Sequence, residues 1–448
     1  LKPLPVAVLG AGVAGLTAAR ALKRRGLAVI VFEAGRRIAG LAGSFQDAEG
    51  FSHDFGAHFI TNRLAAALGV GASCRIVERY AETVRLGERS YGYPFGLLRR
   101  PRYVLGALGA RAVAPLRGRP ATAADWFRSA YGRPLADEVA LPLVEAWSGA
   151  PAEELAPSVG EKIPASLLGT VLLKLAARLS RRAVAIGYCR ELPQGPHVWH
   201  VYPDGGVEVL CRRLADGLED DIRLNARVEA VLVSQGRVAA LQVDGRELPV
   251  AALVSTAPVH ALARLVKGSD ALADLARFRY RPMAFVNLRL RGRGLLPEVV
   301  TWTPERGLPF FRLTEAPLSM PQLAPPDRTL ITADVGCEVG DATWALPDDA
   351  LGERCLEALR LVVPDARARY LGCRVLRTSV AYPVFLNEYE AVRLRWRQGS
   401  GVPGLVSVGR NGEFDHLLME DVHWRTLART RQLAEELLPR APGAAGRL

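Results

Sequence analysis

Lysine is scarce in this chain, occurring only at Lys2, Lys23, Lys162, Lys174 and Lys267, so arginine carries almost all of the formal charge of +12. The arginines are spread along all 448 residues and no recognition motif accompanies them, so nucleic acid is not an expected partner. Cysteine is sparse too. Cys74, Cys189, Cys211, Cys337, Cys355 and Cys373 never show Cys-x-x-Cys spacing, which argues against a zinc site and a redox dithiol; no metal is expected. No apolar run reaches the eighteen or so residues that a bilayer span needs. The first strand begins at Val6 with no room for a signal peptide before it, so reduced thiols and a cytoplasmic location are expected. Two basic amphipathic stretches, Phe95 to Leu116 and Ile163 to Ile186, are read as helices whose apolar faces turn inward over a substrate domain, rather than onto a membrane surface.

What is present is an ordinary globular composition, 49% hydrophobic and 23% charged, in a chain long enough for two domains or one large interleaved unit. Its most informative stretch comes first. A β-branched run from Val6 to Leu9 meets Gly10-Ala11-Gly12-Val13-Ala14-Gly15; a helical stretch, Leu16 to Arg25, and a second apolar run, Ala28 to Phe32, follow and end on Glu33. Strand, Gly-x-Gly-x-x-Gly, helix, strand and acid in this order form a dinucleotide fingerprint. Gly10 permits the tight turn, Gly12 lets backbone approach a diphosphate, and Gly15 lets the helix pack on the strand. The positive end of the helix from Val13 faces the diphosphate, and Glu33 accepts from a ribose hydroxyl.

A second glycine-rich loop, Ala34 to Phe45, contains Arg37, Gly40, Leu41 and Ala42. It resembles the loop Glu-Ala-x-x-Arg-x-Gly-Gly of the flavin-dependent amine oxidase and protoporphyrinogen oxidase superfamily, with Ala39 in place of the first glycine of the pair. Asp54-Phe55-Gly56-Ala57-His58 is similar to the Asp-x-Gly-Gly-His segment that passes beside the flavin ring in that superfamily. Tyr202 to Gly206 and the strand through Val228 resemble the return to its nucleotide domain, where the residue at Val228 meets adenine through its backbone. Gly409-Arg410-Asn411-Gly412, followed by Glu420, Asp421 and Val422 at a helix start, is similar to its closing motif. Either acid fits the place of the usual aspartate.

The resemblance implies an α/β fold, a Rossmann-type FAD-binding domain interleaved with an α+β substrate domain of antiparallel sheet and helices. The FAD-binding domain is expected in three parts, 1–61, 201–258 and 401–440, and the substrate domain in two, 62–200 and 259–400. Helices are expected over Tyr103 to Val113, Thr122 to Ala130, Leu135 to Trp147, Ala165 to Leu179 and Val207 to Leu218. Alternating strands are expected at Ile222 to Val231, Phe285 to Leu290 and Leu330 to Val335, with turns at Ser234 to Gly236 and Asp244-Gly245. His58, Arg281, Arg312 and Tyr382 are the candidate catalytic residues.

The implied cofactor is FAD, bound without a covalent link because no cysteine follows Cys373. The implied chemistry is removal of hydride from a small-molecule substrate, with O2 or a quinone reoxidising the flavin. Amine oxidases of this superfamily place a lysine near the ring, and no lysine follows Lys267, which favours a ring or sugar-like substrate over an amine. The glycine-rich loop and closing motif also resemble UDP-galactopyranose mutase, a non-redox flavoenzyme, in which Arg281 and Arg312 would hold a nucleotide-sugar diphosphate. A flavin-containing binding protein without turnover is the third alternative.

Overall fold

The structure is a computed structural model that describes residues 3–56, 58–116, 118–162, 172–174, 176–177, 179 and 181–438. Five parallel strands make its first sheet, in the order Ile222–Arg223, Val29–Phe32, Val6–Leu9, Ala252–Ser255, Leu405–Ser407. The central strand is apolar at every position because both of its faces are covered. Val6, Val8, Val29, Val31, Ala252 and Val254 pack with Leu16 and Leu22 of the helix Val13–Lys23 and with Leu433 and Ala434 of the helix Met419–Leu437. On the other face Ala7, Leu9, Phe32, Leu253 and Leu405 meet Val228, Val231, Val238 and Leu241 of the hairpin Val228–Ser234 and Arg237–Val243. Its turn uses Gln235 at φ 51° and Gly236 at φ 75°, as the Ser-Gln-Gly signal anticipates.

The expected single strand from Ile222 to Val231 is two strands. Asn225 sits at φ 53° and donates its backbone N–H to Gly35 O, and Ala226 donates to Glu33 O, so the chain leaves the sheet to clasp the end of the second strand. Val228 then starts the hairpin.

A seven-stranded sheet forms the second body of the fold. Its order is Tyr370–Pro383, Tyr280–Arg291, Arg328–Gly336, Arg312–Glu315, Val300–Trp302, Glu82–Leu86, Arg89–Gly92, antiparallel except where Val300–Trp302 lies parallel to Glu82–Leu86. The alternating pattern over Phe285 to Leu290 and Leu330 to Val335 does not mark a water-facing side. Ala284, Val286, Leu288, Ile331, Ala333 and Val335 pack on Leu351, Cys355 and Leu356 of the helix Asp348–Leu359. The polar alternates are buried as well: Asn287 and Asp334 are 0% exposed, and Thr332 donates to Asn287 Oδ1 at 2.7 Å. Hydrogen bonds within the layer offset the desolvation of these groups.

Helices occupy Pro101–Val113, Ala123–Tyr131 and a continuous run from Arg133 to Ser148 that includes a π-helical turn at Ala136–Ala140. Thr122 caps the second, accepting from Asp125 N–H at 3.1 Å while Asp125 accepts from Thr122 N–H. Val209–Ala215 is shorter than the span Val207 to Leu218 expected for it. The expected helix Ala165 to Leu179 lies largely outside the described residues. In Pro101–Val113 the apolar stripe does not turn inward as expected: only Tyr103 and Ala110 are buried, whereas Leu105 is 67% and Leu108 57% exposed. Among the described residues no helix is long and apolar enough to cross a membrane.

Candidate active site

One cavity of about 2410 Å³ runs from the glycine fingerprint to the inner face of the seven-stranded sheet. At its first end the glycines act as their spacing implies. A Cβ on Gly10, at φ +97°, would lie 2.1 Å from Thr256 Oγ1, and one on Gly15 would lie 1.8 Å from the Gly10 carbonyl oxygen. Gly12 is different: its nearest neighbour would be Ala39 O at 3.7 Å, so protein packing does not demand a glycine there. The missing side chain opens backbone toward the cavity, beside Val13 and Ala14 at the helix N-terminus. Glu33 lines the same end. Its Oε2 accepts from Ala11 N–H and its Oε1 from Gly35 N–H, both at 2.8 Å, which leaves each oxygen one further lone pair.

The second glycine-rich loop divides its work. Gly40, Leu41 and Ala42 line the cavity, and Ala39 takes a left-handed φ of 88° while its N–H donates to Ala11 O at 2.8 Å. Ala34 and Arg37 are exposed and lie outside the lining. Arg37 lies over Phe45 at 4.5 Å, donates to Ser44 O at 3.0 Å and pairs with Glu208. Ser44 donates in turn to Asp54 Oδ1, and Tyr202 to Asp54 Oδ2, both at 2.6 Å. Burial pushes the Asp54 carboxyl up to about 6 against these two bonds. Arg37 therefore ties the loop down from outside. Glu208, Asp54 and Tyr202 complete that tie, and sequence reasoning assigned them no role because their partners lie up to 171 positions away.

Gly56, at φ +84°, passes Phe285, whose ring would be 3.0 Å from an added Cβ. Ala57 lies outside the described residues. His58 lines the cavity, and its Nδ1 is buried without a hydrogen-bond partner among the described residues; the same holds for Asn411 Oδ1. Burial, and then the charges of Arg410 and Arg312, push His58 down to about 3, so it is a neutral imidazole near pH 7. Arg410 donates to Leu417 O at 2.9 Å, lies 5.7 Å from the Tyr382 ring, and has no carboxylate partner among the described residues. Burial holds it below its ordinary value. Arg312 does have such a partner, the fully buried Asp334 on the adjacent strand. Burial opposes its charge, and Asp334 outweighs that opposition and raises its pKa.

At the closing motif, Gly409 has φ +83° and a Cβ there would meet Ala14 Cβ at 2.8 Å, so this turn lies directly on the fingerprint helix. The two neighbouring acids separate clearly. Glu420 turns into the protein, accepting from Thr61 Oγ1 at 2.8 Å and Arg63 Nε at 2.6 Å. Asp421 lines the cavity with Val422 and accepts from Arg190 N–H at 2.6 Å.

Two further expected residues stand outside the lining. Arg281 lies outside the cavity lining: the strand has a register irregularity between Arg281 and Met283, and the guanidinium sits against Gly149 and Gly336 and pairs with Glu338 at 2.5 Å. Val228 is a core residue, also outside the lining. Sequence reasoning in turn missed Glu82, which accepts from Tyr80 at 2.5 Å and from Trp302 Nε1 at 2.9 Å in the cavity wall. Tyr188, Trp147, Phe59 and the expected Tyr382 are among the other aromatic side chains that line it. Parallel pairing of Glu82 with Val300 brings these residues together, and no local pattern encodes it.

The protein-family comparison matches residues 105–419 to the flavin-containing amine oxidoreductases and residues 8–67 to an NAD(P)-binding Rossmann-like domain. Among solved structures, a reduced UDP-galactopyranose mutase is similar with a TM-score of 0.77 at 17% identity, covering 97% of this chain and 96% of that one. A protein from Exiguobacterium sp. 255-15 that carries the name protoporphyrinogen oxidase gives 0.75 at 16%, covering 97% and 100%. Cyclohexylamine oxidase from Brevibacterium oxydans IH-35A gives 0.70 at 17%, covering 97% and 100%. At these identities the likeness is one of fold, whereas the family match spans most of the chain, with the fingerprint cradle at one end of the cavity and orphaned polar atoms at the other. The chain belongs to the flavin-containing amine oxidoreductase family, as an FAD-dependent oxidoreductase.

Proposed function

We propose that the protein removes hydride from a small molecule, a ring, sugar-like or amine compound, held against FAD in the aromatic part of the cavity. One observation carries this reading: a single cavity joins the fingerprint to an aromatic chamber, and its volume of about 2410 Å³ exceeds the ~300–1,000 Å³ of an ordinary small-molecule site. Cofactor and substrate fit as neighbours. Gly10, Gly12, Val13 and Ala14 would hold the diphosphate, Glu33 the ribose, and His58, Arg410, Asn411 and Asp421 the ring end. FAD supplies the hydride acceptor.

The chain's own residues supply position and electrostatics. Tyr80, Tyr188, Trp147 and Trp302 exclude water from the reacting face. Arg312 and Arg410 make one wall positive, which stabilises electron-rich groups placed against it. His58, held neutral, orients a partner by hydrogen bonding and is not an acid at neutral pH. Reoxidation by O2 or a quinone completes the cycle.

A non-redox reading, isomerisation of a nucleotide sugar, draws on Arg312 and Arg410 as two cations in one cavity. Anaerobic mixing of the oxidised protein with apolar alcohols, amines and cyclic compounds tests the first reading through loss of oxidised-flavin absorbance. Isomerisation of UDP-galactopyranose by the reduced protein alone, with no bleaching by any candidate, would replace it with the second.

A further inference from the structure

The excess of positive charge is local. Residues 89–124 and 163–190 hold twelve Lys or Arg and no Asp or Glu, and the rest of the chain, with 46 of each sign, is neutral. The first stretch contains the helix Pro101–Val113, whose exposed side chains include Leu105, Leu108 and Val113 beside Arg102 and Arg111. Leu98 is 51% exposed and Leu116 88%, alongside Leu105 and Leu108. Arg99, Arg111 and Arg119 are exposed around them and have no acidic partner among the described residues. From the second stretch, Leu172 and Leu179 are exposed, and Arg181 and Arg182 line the same cavity. Leu98, Arg99, Leu108 and Arg111 are both exposed and part of the cavity lining, so this face surrounds its mouth.

We propose that this face docks on an anionic lipid bilayer, with the exposed leucines in the acyl boundary and the arginines among the headgroups. Apolar side chains at the centre and unpaired cations at the rim match the two layers of a bilayer surface. Arginine keeps its charge at any accessible pH and reaches from an apolar stem to a phosphate. A nucleic-acid surface would use the cations and leave the leucines in water. An outward face that sets Leu105, Leu108 and Val113 beside arginines suits the boundary of lipid and headgroup better than water, and the local excess of positive charge selects anionic lipid.

The experiment uses the purified full chain with vesicles of phosphatidylcholine alone and with vesicles containing ~30 mol% phosphatidylglycerol. Co-sedimentation is expected with the second and not the first, and is lost in about 0.5 M salt. The double substitution Leu105→Asp/Leu116→Asp lowers the bound fraction at least ~10-fold, and Arg119→Glu at least ~5-fold. Both variants keep the flavin spectrum and the unfolding midpoint of the parent. Arg119→Glu alone suffices should the double variant fail to fold. Equal binding to both vesicles, binding unchanged by these substitutions, or retention on duplex DNA in preference to vesicles overturns the proposal. So does a dimer in sedimentation velocity that Leu105→Asp/Leu116→Asp dissolves while no vesicle is bound.

Discussion

Arg312 and Asp334 face one another across adjacent antiparallel strands, and the guanidinium donates to a carboxylate with no solvent exposure of its own. Burial raises the Asp334 pKa and Arg312 opposes that rise. Removing only the cation leaves a buried charge uncompensated. Arg312→Ala should therefore destabilise the fold by about 3–5 kcal/mol near neutral pH, and by less in acid, where Asp334 can be protonated. Denaturant unfolding at two pH values checks this; an equal loss at both would show that Asp334 is not the group left behind.

Acid should weaken the protein through its buried neutral histidines. His200 and His423 are 2% and 5% exposed, and burial pushes them down to about 3 and about 4. A histidine with a depressed folded value contributes its full stability above its unfolded value and loses it as pH falls toward the folded one. Each loses about 2 kcal/mol between ~pH 6.5 and ~pH 5. Asp54, raised to about 6, works in the opposite sense and returns about 1 kcal/mol by ~pH 5. These three groups together lose about 3 kcal/mol, and His58, also pushed down to about 3, adds to the loss in the same sense, measurable as a falling unfolding midpoint across this window. A midpoint that rises instead would refute the assignment.

Ala39 adopts φ 88°, where an L-side chain costs roughly 1–2 kcal/mol. Glycine there relieves that strain but loses some of the gain to unfolded-chain entropy. Ala39→Gly should stabilise the protein by about 0.5–1 kcal/mol without changing flavin content. A destabilised variant would mean that the alanine methyl is packed to a purpose.

Glu33→Ala should release FAD and, by orphaning the Ala11 and Gly35 amides, cost about 1–2 kcal/mol of stability. Flavin absorbance per mole of protein is the readout. Full occupancy would remove Glu33 from the ribose site.

Asp421→Asn and Glu420→Gln should part company. The first lowers flavin affinity about tenfold, roughly 1.4 kcal/mol, and costs about 1 kcal/mol of stability by weakening the bond from Arg190 N–H. The second weakens the Thr61–Glu420–Arg63 cluster and costs about 1–2 kcal/mol of stability with flavin affinity unchanged. Flavin titration and unfolding of both variants separate the roles; the reverse pattern would exchange them.

The cofactor end of the site was legible in the sequence because Gly10 to Glu33 are neighbours along the chain, and their spacing is itself the geometry. Loops from residues 40–42 and 409–410 were legible through Gly40 and Gly409, both at positive φ. The cavity wall was not. Glu82 and Trp302 meet through pairing of strands more than two hundred positions apart, Tyr188 joins them from an irregular segment, and their residue types carry no signal of it. Arg281 shows the converse error: it lies in a strand next to the site, but a register irregularity separates it from the cavity. Asn225 broke an expected strand because a left-handed residue cannot continue a ladder. The helix at Pro101 was misread because an apolar stripe says that something covers it, not that the protein itself does.

The parallel sheet draws its last strand, Leu405–Ser407, from the far end of the chain, and Ala252–Ser255 must arrive before it. At the ~5–20 residues per second of synthesis, roughly 20–75 s separate emergence of the first βαβ unit from that of the strand that completes the sheet. For the first ~11–45 s of that interval the Val6–Leu9 edge has no partner on the side that Ala252–Ser255 will occupy, and after that the open edge is Ala252–Ser255 itself until Leu405–Ser407 arrives. An open apolar edge of this kind recruits other nascent chains. Yield of folded protein should therefore rise with chaperone supply and with lower growth temperature during synthesis.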